Sequence, residues 1–128
     1  MKRVLLASFL LSLLLPGAGW CQPPALLAIW GSTGDQPGQF NRPTGLALGP
    51  DGNLYVADYD NRRIQVLTSG GAFVTQWGCD EHESWSLSAP MHVAVDAGGR
   101  VFVTEFLLSS SSQSGLQVFS STGVYLAS

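Results

Sequence analysis

The chain has 128 residues, is 45% hydrophobic and only 12% charged, and carries a formal net charge of −3. Six basic residues do not make the electrostatic footprint of a nucleic-acid binder. Two cysteines do not make a disulfide framework in a chain of this size.

Lys2-Arg3, the apolar run Val4 to Leu15 and the break at Pro16-Gly17 have the three parts of a secretory signal peptide, assigned here to residues 1–21. The run is 12 residues long, short of the ~20 that a membrane-spanning helix needs. Small residues permit cleavage before Trp20 or before Gln22. The expectation is therefore a secreted, periplasmic or extracellular protein with no stable membrane span after cleavage. A lipidated Cys21 and an uncleaved anchor are the alternatives. Loss of the leader leaves four arginines, no lysine and nine acidic residues, a net charge of −5, so no nucleic-acid partner is expected. Cys79 is then a free thiol, or pairs with Cys21 if both are retained.

Residues 22–42 form a lead-in, and residues 43–78 and 79–128 form two repeated units. Pro90 lies 47 positions after Pro43, and in that register Leu46 meets Val93, Leu48 meets Val95, Gly52 meets Gly99, and Leu54-Tyr55-Val56 meets Val101-Phe102-Val103. Asp58 meets Glu105. Beyond a serine-rich insertion at residues 107–115 the offset becomes 52, with Ile64-Gln65-Val66-Leu67 opposite Leu116-Gln117-Val118-Phe119. Within the lead-in, Ala25 to Trp30 reads as the last strand of a preceding unit, because Ile29-Trp30-Gly31 parallels Gln76-Trp77-Gly78.

Each unit alternates β-rich runs with turn chemistry such as Gly49-Pro50-Asp51-Gly52-Asn53 and Ser69-Gly70-Gly71. The spacing predicts four strands in the first unit, near Thr44 to Leu48, Asn53 to Asp58, Arg63 to Thr68 and Ala72 to Trp77. The inner runs are apolar at successive positions, so both faces of each sheet are expected to be covered. A four-stranded antiparallel sheet of about 45 residues, covered by its neighbours, is a propeller blade. The fold class is thus all-β, with two such blades after a signal peptide.

Trp30-Gly31, Gly38-Gln39-Phe40, Pro43, Pro50-Asp51-Gly52-Asn53, Asp58, Asn61 and Arg63-Ile64-Gln65 together resemble an NHL repeat. The second unit keeps the strand pattern but has Glu105 for the aspartate, and its serine loop removes the asparagine and arginine. The resemblance implies a β-propeller, usually of about six blades. It does not by itself imply a reaction. Two blades leave two outer faces bare. At ~25 cal/mol per Å², a wet face of about 500 Å² forfeits about 12 kcal/mol. Three explanations follow: the front part of a longer propeller, homo-oligomeric assembly in which three chains complete a ring, or docking onto another protein.

The loops between blades and those joining the second and third strands share one end of the sheets, while the other end receives only tight turns. Binding is expected at the loop end. Contact residues proposed there are Tyr59, Asp60, Glu81, His82, Glu83, Trp85 and Phe106. Trp30, Pro43, Asp58, Asn61, Arg63, Trp77 and Pro90 are read as structural repeat residues, with Asp58, Asn61 and Arg63 tying loop to strand. Cys79 to Glu83 contains residue types that ligate metals or move protons, but their adjacency favours a solvated acidic loop. His92 is read as a core or channel-wall histidine opposite Gly45. Asp51-Gly52-Asn53 lacks the later ligands of a calcium loop and reads as a hairpin turn. No catalytic motif, metal site or cofactor is assigned. The expected function is a non-catalytic scaffold for protein, peptide or glycan partners outside the cytoplasm. The alternative is part of a metal-dependent propeller lyase or hydrolase, since amidating lyases of this type hold a metal with histidines from several blades.

Overall fold

The computed structural model describes residues 25–79, 86–106 and 115–128. They form two four-stranded antiparallel sheets and, among the described residues, no helix. The first sheet runs in the order β1 (Pro43–Leu48), β2 (Leu54–Asp58), β3 (Arg63–Leu67), β4 (Phe73–Trp77), and the second β5 (Pro90–Val95), β6 (Val101–Glu105), β7 (Leu116–Phe119), β8 (Tyr125–Ala127). Each is a simple meander, so every connection joins neighbouring strands. The repeat extends to irregularities: both sheets break register between the first and third residues of their first strand, and again near the end of the third. The segment Ala25–Trp30 belongs to neither sheet.

Alternation along the strands decides what is buried. Ala47, Tyr55 and Val66 share one face of the first sheet with Gly45, Ala57, Ile64 and Trp77. This face packs onto Val93, Val101, Val103 and Phe119 of the second sheet to form the core. The Trp77 ring lies 6.2 Å from Tyr55, edge to face, and 6.2 Å from Phe119. Its indole N–H has no acceptor among the described residues, so packing alone holds it. Strands β1 and β5 approach closely at Gly45, where an added Cβ would come within 2.8 Å of the Met91 carbonyl oxygen and 2.9 Å of the His92 Cα.

The expectation that both faces of each sheet are covered fails for β1. Leu46 and Leu48 are 65% and 67% exposed, because they sit on the face of the first sheet that points away from the second. Apolar sequence there reports what the face is suited to touch, and no described residue of the chain provides the sheet to touch it. The second sheet likewise leaves Leu116 and Leu126 in solvent.

The tight turns opposite the loop end are built on aspartates. Asp51 accepts hydrogen bonds from the Asn53 amide, the Asn53 side chain and the Tyr55 hydroxyl, and Gly52 takes the positive φ of 79°. Asp96 does the same for Gly98 and Arg100 in the second sheet. Burial pushes the Tyr55 phenol up to about 12 from 10.0, and the hydrogen bond to the Asp51 carboxylate adds to it. Partial burial acts to raise the Asp51 carboxyl, but bonds from Asn53 and Tyr55 outweigh it and hold the group below its ordinary value.

Two outcomes follow for stability. Gly45→Ala drives a methyl into the β5 backbone and is expected to cost about 1–3 kcal/mol in urea denaturation. The fold favours the protonated Tyr55 phenol, so stability is intact below pH 10.0 and falls as pH rises through about 12. Tyr55→Phe should remove that alkaline limb in a pH series of melting curves.

Candidate functional site

The loop end is organised by a buried ion pair. β2 ends at Asp58 and β3 begins at Arg63, and the antiparallel register sets the two directly opposite. The Arg63 Nε donates to Asp58 Oδ2 at 2.8 Å, with both side chains buried. Burying opposite charges is tolerable only when their remaining hydrogen-bonding capacity is met. Here Asp58 also accepts from the Asn41 amide at 2.7 Å, the Asn61 side chain at 2.8 Å and the Gln65 side chain at 3.1 Å. Arg63 spends its other N–H groups on the carbonyls of Asp35, Gln36 and Gln39 and on the Gln76 side chain.

Two neighbours complete the anchor. The Gln65 Oε1 accepts the Gly38 amide at 2.9 Å, and its Nε2 donates to the Gln39 carbonyl. Asn61 donates to the Gly34 carbonyl at 2.9 Å. The loop from Gly34 to Asn41 is therefore closed over charged and amide side chains of the sheet. Its shape is fixed by charge-assisted bonds, which are the stronger kind.

The second sheet repeats this with a different acid. Glu105 Oε1 accepts the Ser88 amide at 2.6 Å and the Ala89 amide at 3.4 Å, while Oε2 accepts the Gln117 side chain at 2.6 Å. Ser88 is the counterpart of Asn41, and Gln117 of Gln65. The glutamate that departs from the first unit's pattern thus does the aspartate's work.

What this anchoring presents to solvent is a small mixed patch. The Arg42 guanidinium lies 4.7 Å over the Tyr59 ring, and its Nη1 pairs with Asp60 Oδ1 at 3.1 Å. Arg42 and Arg62 hold positive φ angles of 52° and 54°, an uncommon state for residues with a Cβ. Beside Arg62, a cavity of about 260 Å³ is lined by Gly78, Cys79, Ser86, Leu87 and Ser88. Phe106 is exposed, and its amide donates to the Ala89 carbonyl at 3.0 Å.

Of the contact residues expected from sequence, the structure brings Tyr59 and Asp60 together at Arg42 and leaves Phe106 by the second anchor. Glu81, His82, Glu83 and Trp85 lie outside the described residues, as do Cys21 and the serine loop from 107 to 114. His92 is exposed on the outward face of the second sheet, its Nδ1 3.1 Å from the Thr104 hydroxyl. Among the described residues no group of three or more His, Cys, Asp or Glu is placed to hold a metal ion. Sequence reasoning missed Arg42 and Gln65 as site builders. Gln65 carried a signal, since it recurs in register as Gln117; Arg42 carried none but its place before Pro43.

The NHL repeat family matches residues 40–67, the stretch that carries the first anchor. The chain is 35% identical over 77 residues to the protein brain tumor of Drosophila melanogaster, covering 59% of this chain and 7% of that protein. It is 43% identical over 47 residues to the B-box type zinc finger protein ncl-1 of Caenorhabditis elegans, covering 37% and 6%. With the E3 ubiquitin-protein ligase TRIM71 of Bos taurus it shares 46% identity over 44 residues, covering 34% and 5%. The chain thus spans less than a tenth of each relative. Among solved structures, a gluconolactonase from Xanthomonas campestris superposes with a TM-score of 0.49 at 26% identity, covering 69% of this chain and 27% of that one.

Asp58→Ala removes one partner of the buried pair and leaves Arg63 charged in the interior. It is expected to cost about 3–5 kcal/mol in chemical denaturation. Arg42→Ala breaks an exposed pair and should change stability by no more than about 1 kcal/mol.

Proposed function

We infer that this NHL-repeat chain works as an exported, non-catalytic binding scaffold that meets its partner at the loop end of the sheets. The observation that carries this reading is the anchor of Asp58, Arg63 and Gln65, which ties the Gly34 to Asn41 loop to the sheet and sets Arg42, Tyr59 and Asp60 beside it. Side chains held in advance lose little freedom on binding, and that preserves affinity. Arginine and tyrosine are also the residue types that most often dominate contact energies between proteins. An aromatic ring flanked by one cation and one anion suits a protein or peptide chain, and a glycan is the other ligand of matching chemistry.

The leader at residues 1–21 supports export, and a net charge of −5 without it argues against a polyanionic partner. The left-handed backbone at Arg42 and Arg62 supports the same location for the site, since backbone strain concentrates where function holds it in place.

Peptide and glycan arrays probed with the full chain test the reading. The expected result is a discrete set of ligands whose binding falls at least about tenfold with Tyr59→Ala or Arg42→Ala, equivalent to about 1.4 kcal/mol. Ala97→Arg, on a turn at the opposite end, should leave it unchanged. Stoichiometric metal with turnover of an ester, lactone or amide, lost on replacing His82 or His92 with alanine, would support the lyase or hydrolase alternative instead.

A further inference from the structure

The two units anchor their loops with matching parts, except that the second has no cation beside its acid. In the first unit the Asp58 Oδ2 alone accepts hydrogen bonds from Arg63, Asn61 and Gln65. In the second, the Glu105 Oε2 accepts the Gln117 side chain at 2.6 Å and no other donor among the described residues. The register explains the difference. Arg63 stands opposite Asp58 at the start of β3. The residue in that place beside Glu105 is Gly115, exposed and without a side chain, whose carbonyl accepts the Glu105 amide. Arg42, Arg63 and Arg100 are each paired with an aspartate elsewhere.

A second acceptor lies beside the carboxylate. Gln117 turns its Nε2 to Glu105, since the reverse orientation would set an oxygen against the carboxylate. Its Oε1 therefore faces the other way, buried and with no donor among the described residues. In the first unit the corresponding oxygen of Gln65 accepts the Gly38 amide at 2.9 Å. A buried acceptor left unpaired is costly, so this oxygen favours any donor brought to it.

Two neighbouring acceptors, one of them charged, suit a cation with several N–H groups held in one plane. Guanidinium has that form, whereas an ammonium is a compact and more strongly hydrated charge. A metal ion suits the place less well. One carboxylate and one amide oxygen fall short of the roughly six to eight oxygen ligands that calcium takes. A basic partner also suits a chain with nine acidic residues against six basic ones.

We propose that Glu105 and Gln117 form a socket for an arginine side chain of a partner protein or peptide, entering past Gly115 into the place that Arg63 fills in the first unit. The chain thus carries its own reference for the bound state. The socket is separate from the patch at Arg42, Tyr59 and Asp60 and does not depend on it.

NMR titration of the full chain with acetyl-arginine amide tests the proposal. Saturable shifts are expected at the Gln117 side-chain amide and the Ser88 backbone amide, and none with acetyl-citrulline amide, which keeps the shape without the charge. Glu105→Gln should weaken binding at least about tenfold. Gly115→Arg should fill the socket from within, abolish the response and raise Tm. Ala97→Arg, which adds the same charge on a turn at the opposite end, should do neither. No saturable shift at the two amides, equal binding of the citrulline derivative, or a full response in a folded Gly115→Arg variant would overturn the proposal. Should Gly115→Arg fail to fold, Glu105→Gln decides, and unchanged affinity there overturns it too. Calcium that shifts the same resonances where the arginine derivative does not would make a metal ion the occupant and contradict it.

Discussion

A meandering four-stranded sheet with two apolar faces is not stable alone, and the packing of one sheet face on the next is the constraint from which the rest of this structure follows. That packing centres on Trp77, wedged between Tyr55 and Phe119. Burial of each large apolar side chain in such a contact contributes about 1.5–3 kcal/mol. Because β1 meets β5 through Gly45 with no intervening side chain, the inner strands are brought close, and Thr44 donates across the gap to the Pro90 carbonyl at 3.0 Å. The acids Asp58 and Glu105 then lie at one end of the two sheets and the aspartate turns of Asp51 and Asp96 at the other.

Polar chemistry does a different job. The apolar interface stabilises the sheets, while Asp58 and Glu105 shape the loops above them. An acid at the end of the second strand accepts the amide of a residue 17 positions earlier in both units, Asn41 in one and Ser88 in the other. The first unit adds arginine and asparagine to this acid, giving it a full set of donors; the second manages with a longer side chain and a glutamine. This division explains how the second unit can lose much of the repeat's polar pattern and keep its strands.

The strands were legible because the duplicated pattern places each apolar run between turn signals, and every one of the four predicted in the first unit falls within a residue or so of its observed bounds. The Asp58 to Arg63 tie was legible too, since a hairpin of four residues brings its two ends opposite. Other features had no local signal. That Arg63 would spend three N–H donors on backbone carbonyls of a loop 24 to 28 residues earlier depends on tertiary closure. The left-handed backbone at Arg42 is equally invisible, because arginine is not a residue chosen for that conformation. Apolar runs in β1 promised burial on both faces; they record the chemistry of a partner surface, not its presence.

Buried side chains that tie the loop end to the sheet should hold it as rigidly as the sheet itself, so that Arg42, Tyr59 and Asp60 form a prearranged surface. Residue-resolved amide hydrogen exchange on the native chain measures this directly. The amides of Gly38 and Asn41, bound to Gln65 and Asp58, are expected to exchange nearly as slowly as those of Ile64 and Val66 in β3. Exchange at the rate of an unprotected surface amide at both positions would contradict it.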